Sequence, residues 1–297
     1  MSTPPVRILL HHLIDYAGLF PPTGLAMAAA VRNYAAYRRG PQVWALGRFV
    51  LPAARLEEFD AAAAPFLPPG DEDPWRISVI CSPDPSADIA HIDDFCRRHA
   101  TRAIVDYLEF RPADATALAA VNAGMFSGRH AYAEVAPGEG IERRIEAVQK
   151  AGLRAKLRTG GLTPEAIPSV ADVLGFLRAC HAAGLAYKFT AGLHHAVRGS
   201  HYLATPEGPR ARMHGFLNLF LAAAFLHQGM PEAELLQLLD ESSERAFHAD
   251  DAALHWRGRR LEAATIAHVR STQAISFGSC SFVDPMDDLT AMGLLAH

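Results

Sequence analysis

Two lysines stand in short, β-rich stretches of this chain: Lys156 in "AKLRTGG" and Lys188 in "YKFTAGLHH". Lysine is among the residues least often buried, so an ammonium in each of two apolar runs asks for a chemical reason. An amine held near another cation and behind apolar walls loses its proton more readily. It then attacks carbonyl carbons to give a Schiff base. A carboxylate that carries protons completes the chemistry, and Asp106 in "IVDYLEF" offers one. The expected roles are Lys156 as nucleophile, Lys188 as the cation that lowers its pKa, and Asp106 as proton shuttle.

Side chains alternate along a strand. Lys156 and Arg158 therefore share a face, as do Lys188 and Thr190. Asp106 and Glu109 fall on opposite faces of a regular strand. If Asp106 looks inward, Glu109 reaches the site only from the rim, and Tyr107 packs outward against a helix. The other polar groups at strand ends are Glu134, Thr159, Gly160, His194, His195, Ser279 and Ser281. Thr159-Gly160-Gly161 suits a tight turn whose N–H groups meet an anion, and Ser279-Cys280-Ser281 reads the same way. Arg158 or Arg198 would add a charge-assisted contact to carboxylate or phosphate. Adjacent His194 and His195 point to opposite sides, so one of them faces the mouth, as a hydrogen-bonding group or proton carrier. Cys280 has no base beside it in sequence and is not expected to be a nucleophile. Asp15 reads as structural, at the barrel bottom or in a cap, and Phe20-Pro21-Pro22 as a stiff pocket wall.

Two other chemistries compete. A metal-dependent lyase, isomerase or hydrolase would use Glu134, Glu109 or Asp106 with histidine, but no HxH or HExxH spacing supports a metal centre. A non-catalytic barrel that binds a small anion would leave both lysines with ordinary pKa values. No cofactor motif is present: no GxGxxG follows the first strand, which also disfavours an open dinucleotide-binding sheet.

These residues need a scaffold that brings distant strand ends together. Eight β-rich runs alternate with helical patterns: LIDYAGL, WALGRFVL, RISVICS, RAIVDYLEF, HAYAEVA, RAKLRT, AYKFTAGL and AISFGSCSF. That rhythm points to an α/β chain with a parallel sheet, and eight strands close a (β/α)8 barrel. In such a barrel the active site lies at the C-terminal ends of the strands. Glycines at 40, 152 and 184 suit helix C-termini. The chain from about 199 to 270 is too long for one helical return. It reads as an insertion after strand seven that lids the site or makes a homo-oligomer contact. Within it, AFHADDAALHW suggests two short strands around an Asp-Asp turn. The whole, residues 1–297, is read as one barrel domain.

Half of the 297 residues are hydrophobic, enough for a large core. A net charge of −4 gives no basic excess for nucleic acid. Four cysteines without a CxxC pair suggest a reducing, cytoplasmic setting. The N-terminal stretch does not read as a signal peptide, and the apolar run Phe216–Leu226 is too short to span a bilayer, so no membrane role is expected.

In chain order, the motifs resemble the deoxyribose-phosphate aldolase family of class I aldolases. "LIDYAGLFPP" is similar to that family's opening LIDHTLL-Pro stretch, "IVDYLEF" to its EIDMVIN strand and "AKLRTGG" to its FxKTSTGF strand. "YKFTAGLHH" is similar to its VKxxGGI strand, and "SFGSCSF" to its IGTSS phosphate-binding end. The resemblance implies a cofactor-free lyase acting on a small, anionic carbonyl compound. It places the Schiff base on Lys156, the tuning lysine at Lys188 and the proton-moving aspartate at Asp106. The strand-seven and strand-eight ends depart from the pattern where the family holds its phosphate, leaving phosphate or carboxylate open.

Overall fold

The computed structural model describes residues 4–204 and 208–295. Eight parallel strands close into a barrel in chain order. They are β1 (Ile14–Tyr16), β2 (Leu46–Pro52), β3 (Trp75–Ile80), β4 (Ala103–Phe110), β5 (His130–Val135), β6 (Arg154–Arg158), β7 (Tyr187–Thr190) and β8 (Ala274–Ser279), with β8 pairing back onto β1. Helices flank the barrel, so the fold is a (β/α)8 barrel, one that commonly serves enzymes. Closure leaves no free edge. The strands read as continuous apolar runs because both of their faces are covered, as in Leu46–Leu51, buried throughout. Gly152 and Gly184 take left-handed φ values of 71° and 60° just beyond the helices Ile141–Lys150 and Val170–Ala183 and turn the chain into β6 and β7.

One irregularity decides which side chains enter the barrel. Ile77 of β3 pairs with Val105, but the next residue, Ser78, pairs with Tyr107, so Asp106 is an extra, bulged residue in β4. The bulge shifts the alternation by one. Tyr107 and Glu109 then turn inward, and Tyr107 lies beneath the Arg48 guanidinium, 3.2 Å from ring centroid to Cζ. The expectation that Tyr107 packs outward is therefore corrected: strict alternation fails at a bulge.

The segment between β7 and β8 is built as an addition to the barrel rhythm. A β-hairpin (Gly199–Tyr202 with Arg210–Met213) comes first. The helices Phe216–His227 and Glu232–Asp240 follow, then a three-stranded antiparallel sheet and the helix Ala263–Thr272. The expected pair of strands around the Asp-Asp turn is present, Phe247–Ala249 with Ala253–Trp256, and Arg259–Glu262 adds a third. The Asp250 carboxylate accepts the N–H groups of Ala252 and Ala253 and fixes that turn. Every residue of Phe216–Phe225 is buried, as a helix wedged between barrel and insertion must be. Among the described residues no helix is long and apolar enough to cross a membrane.

Candidate active site

Register builds the site. Glu134, Lys156, Lys188 and Ser276 are successive partners across β5, β6, β7 and β8, so one layer of the barrel carries a carboxylate, two ammoniums and a hydroxyl. Glu109 enters from β4 and sits between the lysines. Its Oε1 accepts from Lys188 Nζ at 2.6 Å and its Oε2 from Lys156 Nζ at 3.2 Å. Asp15 enters from β1, and its Oδ2 accepts from Lys188 Nζ at 2.6 Å and from the Ser276 hydroxyl at 2.8 Å. Gly47 is required opposite it, because a Cβ there would stand 2.4 Å from the Asp15 carboxylate. Glu134 pairs with Lys156 at 3.1 Å and with Arg158 at 3.2 Å.

The two lysines are not equivalent. Lys188 is 1% exposed and lies beneath the cavity floor, whereas Lys156, 3% exposed, lines a cavity of about 460 Å³ at the C-terminal ends of the strands. Burial alone would push the Lys188 pKa down. The Asp15 and Glu109 carboxylates outweigh that and hold it above its ordinary value. Burial likewise opposes ionisation of Glu109, but both ammoniums and the Ser78 hydroxyl hold its carboxyl far below the usual range. Glu134 is lowered too: burial pushes it up, and Lys156 and Arg158 more than offset that. Lys188 is thus an ammonium at neutral pH with two carboxylate partners. The expected direct action of an uncompensated Lys188 charge on Lys156 is corrected, because Glu109 stands between them.

Asp106 does not join this group. It sits in the N-terminal half of β4, where the Arg48 guanidinium grips it in two hydrogen bonds of 2.7 Å and Arg76 adds a third at 3.2 Å. It is not on the cavity wall. The bulge carries it away from the lysines, and Glu109 and Glu134 occupy the place expected of it.

The remaining candidates divide. Arg158, Thr190 and His194 line the cavity, as do Phe20, Pro21 and Pro22, the expected wall. Thr159 and Gly160 lock two loops together instead. The Thr159 hydroxyl donates to the Ala191 carbonyl at 2.6 Å, and a Cβ on Gly160 would meet Gly192 Cα at 2.7 Å. His195 turns away, hydrogen-bonded to Asp288 at 3.1 Å and stacked on His201 at 3.6 Å. Ser279 accepts the Ser281 N–H, and the Ser281 hydroxyl accepts the Asp284 N–H at the start of the last helix. The two serines are therefore spent on local structure, and neither lines the cavity. Arg198 is also elsewhere, donating to Asp240 at 3.1 Å. Leu203 and Met213 of the hairpin region line the cavity, so the insertion covers its mouth.

Cys280 has a base nearby that sequence distance concealed: His194 lies 3.7 Å from its sulfur. Burial raises the thiol's pKa and lowers that of His194, so both are neutral groups near pH 7. Among the described residues no three His, Cys, Asp or Glu side chains converge as a metal site requires.

The fold and site define a (β/α)8 barrel with a buried lysine–carboxylate cluster under a lidded cavity. No protein-family model matches the chain, and the search of curated proteins found no match.

Proposed function

We propose that the chain is a Schiff-base-forming lyase of class I aldolase type, acting on a small anionic carbonyl compound through Lys156. The observation that carries this reading is the position of Lys156: it is the lysine on the cavity wall, flanked by Glu109 and Glu134. Proton transfer from Lys156 to Glu134 gives a neutral amine and a neutral acid. In water that transfer is steeply uphill. It stays uphill in the resting site, where Lys156 and Arg158 hold the Glu134 pKa below its ordinary value, so the amine is a minor form drawn off by its addition to the carbonyl. The amine adds to the substrate carbonyl, the oxygen leaves as water after protonation, and an iminium forms. The iminium keeps the positive charge of the ammonium it replaces, so Glu109 and Glu134 stabilise both. Cleavage then follows. A carboxylate, Glu134, takes the proton of the β-hydroxyl, the Cα–Cβ electron pair moves into the iminium, and an aldehyde departs. Protonation of the enamine and hydrolysis return Lys156. The hairpin over the mouth limits water access during these steps.

The test is reductive trapping. The protein is incubated with borohydride and a panel of aldehydes, ketones and 2-oxo acids, and adducts are located by peptide mass. A stable adduct on Lys156 that is lost in Lys156→Ala is the expected result. An adduct on Lys188 would reverse the two roles, and no adduct on either lysine across the panel would overturn the reading.

A further inference from the structure

A second cavity of about 530 Å³ opens beside the first, between the loops that follow β4, β5 and β6. Three residues line both cavities: Arg111, Glu134 and Arg158. They form the ridge between them. Three cations draw on Glu134 there. Lys156 lies at 3.1 Å, Arg158 at 3.2 Å through Nε, and Arg111 at 4.0 Å, beyond hydrogen-bond reach. Among the described residues Glu134 is the one carboxylate within that distance of either guanidinium. The other acids of the second cavity do not compensate them. Asp114 accepts the Ala117 N–H, and Asp172 is held in the Ser169 capping box, so both are used at helix starts. Glu165 is exposed and forms no ion pair among the described residues. Arg144 donates to the carbonyls of Gly138 and Glu139 and fixes the loop after β5.

We propose that this ridge is an oxyanion subsite: Arg111 and Arg158 bind a carboxylate or phosphate group of the substrate whose carbonyl Lys156 attacks. The proposal rests on the reading of Lys156 as the imine-forming residue. Two guanidiniums that share one carboxylate hold donors in a planar fork suited to an oxyanion. Arg158 stands two residues beyond Lys156 on the same face of β6, a rise of about 6.6 Å. Both side chains line one cavity, so a small substrate held by Lys156 can place an oxyanion a few bonds from its carbonyl carbon beside Arg158. Both arginine side chains are exposed, 77% and 47%, which leaves them accessible to a ligand arriving from either cavity. This subsite lies at the ends of β4 and β6, not at Ser279 and Ser281 at the end of β8.

Matched pairs test the proposal: levulinate against butanone, and dihydroxyacetone phosphate against dihydroxyacetone, each trapped on Lys156 with borohydride over a concentration series. The expected result is half-maximal trapping of at least one anionic member at about tenfold or more lower concentration than its neutral match. In Arg111→Gln/Arg158→Gln that ratio falls toward one. Preference for the phosphate or for the carboxylate pair assigns the head group. Equal trapping of anionic and neutral members, or a ratio unchanged in the double variant, overturns the subsite. Thermal melting with inorganic phosphate or succinate separates this failure from failure of the Schiff-base reading. If no carbonyl traps, an anion that raises Tm in the native protein and not in the double variant still supports the subsite. The absence of any such effect overturns it. Both side chains are exposed, so the double variant is expected to fold, and Arg111→Gln alone provides a milder check.

Discussion

Lys156 and Lys188 are register partners on neighbouring strands, and a single carboxylate, Glu109, accepts a hydrogen bond from each. The shared partner makes the pair a test of which lysine belongs to the fold and which to the chemistry. Lys188 is enclosed, and its removal takes the nearest cation from two buried carboxylates, leaving Asp15 with Arg48 at 3.9 Å and Glu109 with Lys156 at 3.2 Å. Breaking a buried ion pair from one side costs about 3–5 kcal/mol. Lys188→Met is therefore expected to lose that much in chemical denaturation. Lys156→Met faces the cavity, where water can reach Glu134, and is expected to lose less while abolishing imine formation. Equal losses in the two variants would remove the distinction drawn between them.

The same cluster sets a pH window. The Glu109 pKa lies far below its ordinary 4.5 in the folded chain, so its contribution is complete above 4.5 and fades as the pH falls toward the folded value. Lys188 lies above its ordinary 10.5, so its contribution is complete below 10.5 and fades as the pH rises through the folded value. Stability is expected to be flat with respect to these two groups between about 4.5 and 10.5. Denaturation midpoints across pH would check this. In Glu109→Gln the acid limb should flatten and the plateau should be lower, because two ammoniums lose a partner.

Asp106 offers a sharper discrimination between two assignments. The bulge puts it on Arg48 and Arg76, with no contact to either lysine. Asp106→Asn should weaken charge-assisted hydrogen bonds of about 1.5–3 kcal/mol and leave carbonyl trapping on Lys156 intact. Glu134→Gln should instead slow the reaction by about 10²–10⁴-fold, the usual range for loss of a positioned acid–base group. Single-turnover trapping rates with stability measured alongside would decide. A catalytic defect in Asp106→Asn at unchanged stability would restore it to the site.

The barrel was legible because each strand carries its own apolar run and each return its own helical pattern, and both signals are local. Lys156, Arg158 and Thr190 reach the cavity as strict alternation in β6 and β7 requires, whereas Lys188, one layer below Thr190, lies beneath it. Glu109 and Asp15 were underrated for two different reasons. A bulge is a pairing property of two strands and leaves no clear mark on one, so the alternation that favours Asp106 could not reveal that Glu109 faces inward. Asp15 lies 173 positions from Lys188, and only barrel closure between β8 and β1 brings them together. Pairing of β7 with β8 across the long insertion sets His194 against Cys280, a proximity that chain distance hides.

The hairpin over the cavity is expected to respond to acid through His201. Its ring stacks on His195, 3.6 Å between centroids and 13° from parallel, and this contact helps fasten Gly199–Tyr202 beside the loop after β7. Burial first, and then the neighbouring His195, lower the His201 pKa from 6.5 to about 4, against the opposing pull of Asp288. A histidine whose folded pKa is depressed favours the docked state above its free value and loses that contribution as the pH falls toward the folded one. Docking should therefore weaken between about 6.5 and 4, because protonation of His201 would place a charge in a half-buried site against the His195 ring. Asp288 limits the effect, because its carboxylate favours the protonated His201. Amide hydrogen exchange over 199–204 and 208–213, corrected for its intrinsic pH dependence, would report the opening. His201→Phe keeps an aromatic face against His195 and removes the titration, so its corrected protection should be level over the same range. Identical pH profiles in the native protein and in His201→Phe would show that the hairpin is held by other contacts, Leu203 and Met213 against the cavity first among them.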